Sequence, residues 1–172
     1  PSAEAALRIR EIVREFPGVR ALNGVTLEIL AGEIHALVGE NGAGKSTLIK
    51  ILAGIYRPDG GSIRVFGRET ALHSPQAAQR LGIAVIHQEL NLIPGISVAE
   101  NIVICQTAGR PLSRLMNWKA IRRRATEMLK RLGADISPGV TVSELTVGEQ
   151  QMVEIAKALS QEARILIMDE PT

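Results

Sequence analysis

Cysteine is nearly missing from this 172-residue sequence: Cys105 stands alone, so no internal disulfide can form and a small disulfide-stapled scaffold is excluded. That scarcity is compatible with a reducing cytosol. Aromatic side chains make up only 2% of the chain, which removes the stacking platforms of single-stranded nucleic-acid binders, and no nucleic acid is expected as a partner. No apolar run approaches the roughly 18 residues needed to cross a bilayer, so membrane association is expected only through a partner. Pro1 to Leu7 also lack the charged-then-apolar layout of a signal peptide. A surplus of one charge is absent as well: 20 basic and 18 acidic side chains leave a net charge of +2. Arg122, Arg123 and Arg124 form the one basic run, which reads as a solvated helix face.

What is present suits one globular domain, since 45% of the residues are apolar. Val25, Leu27 and Ile29 alternate with polar neighbours, and Ile34 to Val38 form a short apolar run ending at Gly39; both predict strands. A glycine-rich turn follows. Leu48, Ile49, Ile51 and Leu52 then predict a buried helix from Lys45, closed by Gly54 and the cluster Pro58 to Gly61. Strand, glycine loop and helix together would open a βαβ unit. Further strands are expected at Ile63 and Val65, at Ile83 to Ile86 and at Ile165 to Met168, which makes the chain α/β. Between roughly 95 and 160 the pattern is mostly helical. Ile121, Ala125, Met128, Leu129 and Leu132 share one helical face, as do Met152, Ile155, Ala156 and Leu159 on the helix over 148–160.

Gly39, Glu40, Asn41, Gly42, Ala43, Gly44, Lys45 and Ser46 match the pattern G-x-x-x-x-G-K-[ST], placed between the expected strand and helix. Positive φ at glycines 39, 42 and 44 would aim successive N–H groups at phosphate oxygens, and the helix beginning near Lys45 adds its positive end. Lys45 would reach the β- and γ-phosphates of ATP, Ser46 would ligate Mg²⁺, and Thr47 could make a further phosphate contact. At the other end of the chain, the apolar strand Ile165 to Met168 delivers Asp169 and Glu170 at its carboxyl end, where open α/β sheets carry ligand sites. Asp169 would hold Mg²⁺ through its water shell, and Glu170 would polarise the water that attacks the γ-phosphate.

Three stretches carry a family resemblance: Val38 to Gly54, Ile86 to Pro94, and Leu145 to Lys157. They resemble the ABC transporter ATPases, and more narrowly the ATP-binding proteins of bacterial monosaccharide importers of the ribose, galactose and xylose type. The resemblance runs from about residue 8 to the end. It implies a P-loop NTPase core of the ABC type with an antiparallel β edge and a helical subdomain: 1–94 as β-rich core, 95–160 as helical subdomain, 161–172 as the strand returning to the core. By the same resemblance Gln88 touches the metal and the attacking water, and Phe16 stacks on adenine, a role that stands beside simple core packing. Tyr56 and Trp118 have no such match and read as packing or surface residues. The signature segment of the family is usually Leu-Ser-Gly-Gly-Gln. Here Thr146 keeps the hydroxyl, Val147 replaces a glycine, Gly148 stays and Glu149 replaces the glutamine. In the family this segment faces the γ-phosphate bound on a second cassette, so the resemblance implies a head-to-tail cassette partner.

It also implies a transmembrane permease, indirectly a periplasmic or external sugar-binding protein, and a peripheral place on the cytoplasmic face of the inner membrane. After the acidic pair the family continues with a loop and a histidine that contacts the γ-phosphate. His35, His73 and His87 all precede Glu170, so the chain is expected to be the truncated first cassette of a two-cassette protein, incomplete at its C-terminus, and to bind Mg-ATP poorly or hydrolyse it slowly alone. Two alternatives stay open: a soluble ABC ATPase acting on nucleic acid or the ribosome, and a fragment that binds ATP without turnover.

Overall fold

The computed structural model describes residues 5–86, 90–104 and 117–169. The chain divides into two compact units, Pro1–Ile83 and Ala84–Thr172.

In the first unit, β1 (Ala5–Phe16), β2 (Val19–Leu30), β3 (Gly60–Val65) and β4 (Arg68–Thr70) form an antiparallel sheet in the order β2-β1-β3-β4. Its buried face begins with Leu7 and Ile9, which alternate as a half-buried strand should. The next buried residue is Ile12 rather than residue 11. The pairing with both neighbours shifts there, and Glu11 takes a φ of 50°. One inserted residue thus resets the alternation, which is the geometry of a β-bulge. Gly61 lies opposite: a Cβ on it would come 2.4 Å from the Glu11 carbonyl oxygen. The bulge and the glycine therefore require each other.

Helix α1 (Lys45–Leu52) buries the predicted Leu48, Ile49, Ile51 and Leu52. It ends in a Schellman motif: Gly54, at φ 73°, donates to Ile51 O at 2.9 Å and Ile55 donates to Lys50 O at 2.8 Å. The short helix α2 (Pro75–Arg80) is capped by the Ser74 hydroxyl.

The expected strand at Ile34 to Val38 does not form. Residues 33–40 have no regular secondary structure, and Ile34 and Val38 are 100% and 88% exposed. An apolar run becomes a buried strand only when neighbours accept its backbone hydrogen bonds. Among the described residues no strand pairs with it.

The strands β5 (Ile83–Ile86) and β6 (Ile165–Met168) form a two-stranded sheet, as their apolar runs predict, and all of it but Ile83 lies in the second unit. The helices α3 (Val98–Val103), α4 (Trp118–Arg131) and α5 (Val147–Ser160) close around Val98, Ile102, Ala125, Leu129, Val153 and Ala156. Helix α4 turns the predicted face inward, and the Arg122 to Arg124 run is exposed.

Helix α5 is rotated from expectation. Val153, Ala156 and Ser160 are buried, while Met152 is 40% exposed. Polar groups occupy the buried face because each has a partner there. Ser160 Oγ donates to Ile102 O at 2.9 Å, and Lys157 Nζ donates to Asn91 O at 2.7 Å beside Glu154 at 3.5 Å. A count of apolar positions alone misses a face held in this way.

Candidate functional site

The loop from Gly39 to Lys45 narrows onto the start of α1. Ala43 N–H donates to Glu40 O at 3.1 Å, and Gly42 and Gly44 take φ of 86° and 89°. Gly39, expected at positive φ, is not in that region. It is small for another reason, since a Cβ there would lie 3.2 Å from the Ala43 Cβ. Gly44 is fixed twice over: besides its φ, a Cβ would lie 2.4 Å from Ala21 O and 2.7 Å from Leu22 Cδ2. The loop is thereby pressed against β2.

At the N-terminus of α1, Gly44 supplies no side-chain cap and the first turn contains no acidic residue. The leading N–H groups, with the positive end of the helix behind them, are left for an anion. Lys45 reaches back over the loop, its Nζ donating to Gly39 O at 2.6 Å and Glu40 O at 3.0 Å. The ammonium is thus held at the mouth of the amide cradle. Asn41 and Ser46 are exposed beside it and Thr47 is half-buried.

Phe16, at the end of β1, is half-buried with its ring 5.4 Å from that of Tyr56 at an interplanar angle of 69°. Sequence reasoning set Tyr56 aside and did not single out Arg14, whose guanidinium sits 4.8 Å from the Phe16 centroid. Charged residues at strand ends carry no periodic signal, so this contact was not legible.

In the second unit, Asp169 directly follows β6 and its N–H donates to Ile86 O at 3.0 Å. Thr146 is the N-cap of α5 in a reciprocal capping box. The Glu149 carboxylate accepts from the Thr146 N–H at 2.8 Å and from its hydroxyl at 2.7 Å. These two bonds hold the Glu149 carboxyl below the usual carboxylate range. Gly148, in the first turn, has nothing among the described residues within 4 Å of a would-be Cβ. A neighbouring capping box, Ser97 with Glu100, starts α3. Gln88 and Glu170 lie outside the described residues.

A glycine cradle with a lysine at its mouth and an open helix start defines a P-loop nucleotide-binding protein. The ABC transporter family matches residues 22–172, and the chain belongs to it. It is 53% identical over 99% of its length to a ribose import ATP-binding protein of Streptomyces avermitilis, and 54% identical over 96% to one of Rubrobacter xylanophilus. It covers 32% and 33% of those two proteins, so the chain spans about a third of the length of the curated relatives it matches. Among solved structures it is similar to the ATP-binding cassette MJ1267 of an ABC transporter in its ADP conformation. The TM-score is 0.86 at 26% identity, covering 97% of this chain and 69% of that one. A nucleotide-free cassette from an ABC transporter shares the fold with a TM-score of 0.83 at 24% identity, over 98% of this chain and 70% of that one.

Proposed function

We propose that this chain is the nucleotide-binding part of an ATPase subunit that drives sugar import through a membrane permease. The observation that carries the reading is the uncapped start of α1, framed by Gly42 and Gly44 with Lys45 poised over it. The similarity to ribose import ATP-binding proteins supports the sugar.

On this reading the triphosphate takes the amides of residues 39–47, and Lys45 exchanges the carbonyls of Gly39 and Glu40 for phosphate oxygens. Phe16 carries the adenine. The Ser46 hydroxyl and the Asp169 carboxylate are each a hard oxygen donor of the kind Mg²⁺ prefers, and the family resemblance assigns both to the ion, with Gln88 as a further contact. Held by these residues, Mg²⁺ would supply neutralisation of phosphate charge. Glu170 orients and polarises the attacking water. Thr146, Gly148 and Glu149 face the nucleotide of a second cassette packed head to tail. Residues 1–94 serve as the core, 95–160 as the helical subdomain and 161–172 as the return strand. No described helix is long and apolar enough to cross a membrane, so we place the chain peripherally, on the cytoplasmic face, against a permease fed by an external sugar-binding protein.

The decisive test measures ATP binding and turnover on the same samples. Lys45→Ala removes charge-assisted bonds of about 1.5–3 kcal/mol each and should abolish tight ATP binding. Glu170→Gln should bind ATP and lose turnover. Unchanged affinity in the first variant, or normal turnover in the second, refutes the assigned role.

A further inference from the structure

The corner of the first unit that holds Phe16 is more organised than core packing requires. Arg14 Nη1 donates to Asp59 Oδ1 at 2.7 Å and to Arg57 O at 3.1 Å. The other oxygen of Asp59 accepts from the Glu15 N–H at 2.7 Å, and the Asp59 N–H donates to Val13 O at 2.8 Å. One carboxylate therefore fixes both the backbone next to Phe16 and the cation lying on its ring. That cation is 4.8 Å from the Phe16 centroid and 5.7 Å from that of Tyr56, and Lys50 Nζ approaches Tyr56 at 5.6 Å. Arg14 Nε is buried with no hydrogen-bond partner among the described residues. The guanidinium thus joins its two Nη1 bonds to a place over both rings.

The corner is also linked to the phosphate loop. Phe16 pairs with Val19, the first residue of β2, and the same strand at Ala21 and Leu22 receives Gly44. Tyr56 follows the turn that ends α1, its N–H donating to Lys50 O at 3.1 Å. Both ends of the helix that starts at Lys45 thus touch the arrangement.

We infer that Arg14, anchored by Asp59, is a positioning residue for nucleobase recognition: it fixes the Phe16 ring against Tyr56 so that the exposed part of the ring is presented to adenine. The inference rests on the proposed role of Phe16. A cation on one side of an aromatic ring also draws electron density from the other, which favours stacking of an electron-rich base.

The test compares ATP with inorganic tripolyphosphate, both with Mg²⁺, on the 172-residue chain by calorimetry. Tripolyphosphate uses the loop and lacks a base. Arg14→Met should weaken ATP roughly three- to tenfold and leave tripolyphosphate unchanged, with Arg14→Lys recovering part of the loss. Phe16→Ala should show the same selective loss. Equal weakening of both ligands by Arg14→Met marks a merely structural residue and overturns the inference. So does unchanged or tighter ATP binding, the latter because it would put Arg14 in the place of the base. If Phe16→Ala leaves ATP binding intact, the adenine role of Phe16 fails, and the inference with it. If the unmodified chain binds neither ligand, the nucleotide-site reading itself fails.

Discussion

Replacing Asn101 by alanine tests how the segment after residue 90 is held. Asn101 is wholly buried, and its side chain closes on the irregular chain ahead of α3. Oδ1 accepts from the Ile93 N–H at 2.8 Å, while Nδ2 donates to Ile93 O at 3.0 Å, Ser97 O at 3.2 Å and, weakly, Ile96 O at 3.5 Å. Ser97 O and Ile96 O keep other donors, from Asn101 N and Val142 N, so those losses are small. The cost lies in the two bonds to Ile93, about 1 kcal/mol each, and in an amide left without its acceptor, a further ~1 kcal/mol because Ile93 is 45% exposed and water can reach it. The sum is about 3 kcal/mol. For a chain of this size it lowers the thermal midpoint by roughly 6–12 °C.

Trp118 is the chain's one tryptophan and stands on α4, 47% exposed. Its fluorescence therefore reports the melting of the helical unit. Asn101→Asp keeps the acceptor but sets a carboxylate among three carbonyl oxygens, so its midpoint should be lower at pH 8 than at pH 5. A midpoint for Asn101→Ala within about 2 °C of the parent chain would refute the reasoning, since 93–97 would then be held by other contacts.

Two further predictions concern the loop and the cap. Gly44→Ala combines left-handed strain of about 1–2 kcal/mol with a clash against Ala21 O, whereas Gly42→Ala carries the strain alone because among the described residues nothing lies within 4 Å. Urea unfolding should show the first variant less stable than the second; equal losses would mean the contact with β2 is immaterial. For Glu149 the folded carboxyl is held low by Thr146, so its contribution is complete above the ordinary carboxylate range and is lost as pH falls through the depressed folded value. Glu149→Gln should accordingly lose less helical circular dichroism than the parent chain on titration from roughly pH 5 to pH 3, and matching curves would remove the cap from the account.

Where local chemistry decided, the sequence was a good guide. The phosphate loop, α1 with its four buried apolar residues, α4, and the short strands β5 and β6 all follow from glycine placement and periodicity. It misled where a tertiary partner decides. The alternation in β1 is broken by the residue inserted at Glu11, so a twelve-residue strand left only a fragmentary pattern. Ile34 to Val38 have the composition of a strand without a ladder to join. In α5 the buried face is chosen by what Lys157 and Ser160 can bond to, and apolar counting cannot see a carbonyl sixty residues away. The adenine role expected of Phe16 comes only from resemblance. The Arg14 and Asp59 clamp around it had no signal in spacing or composition, because it depends on bringing the end of β1 against Arg57 and Asp59, 43 and 45 positions from Arg14.

The stretch from Pro94 to Ala99 is stitched to residues 138–143 by backbone bonds, among them Ser143 N to Pro94 O at 3.0 Å and Val142 N to Ile96 O at 3.1 Å. Residues 142 and 145 are in turn gripped by Gln150 of α5. Pro94 and the cap residue Thr146 thus belong to one hydrogen-bonded layer, joined mainly through main-chain groups rather than through side-chain packing.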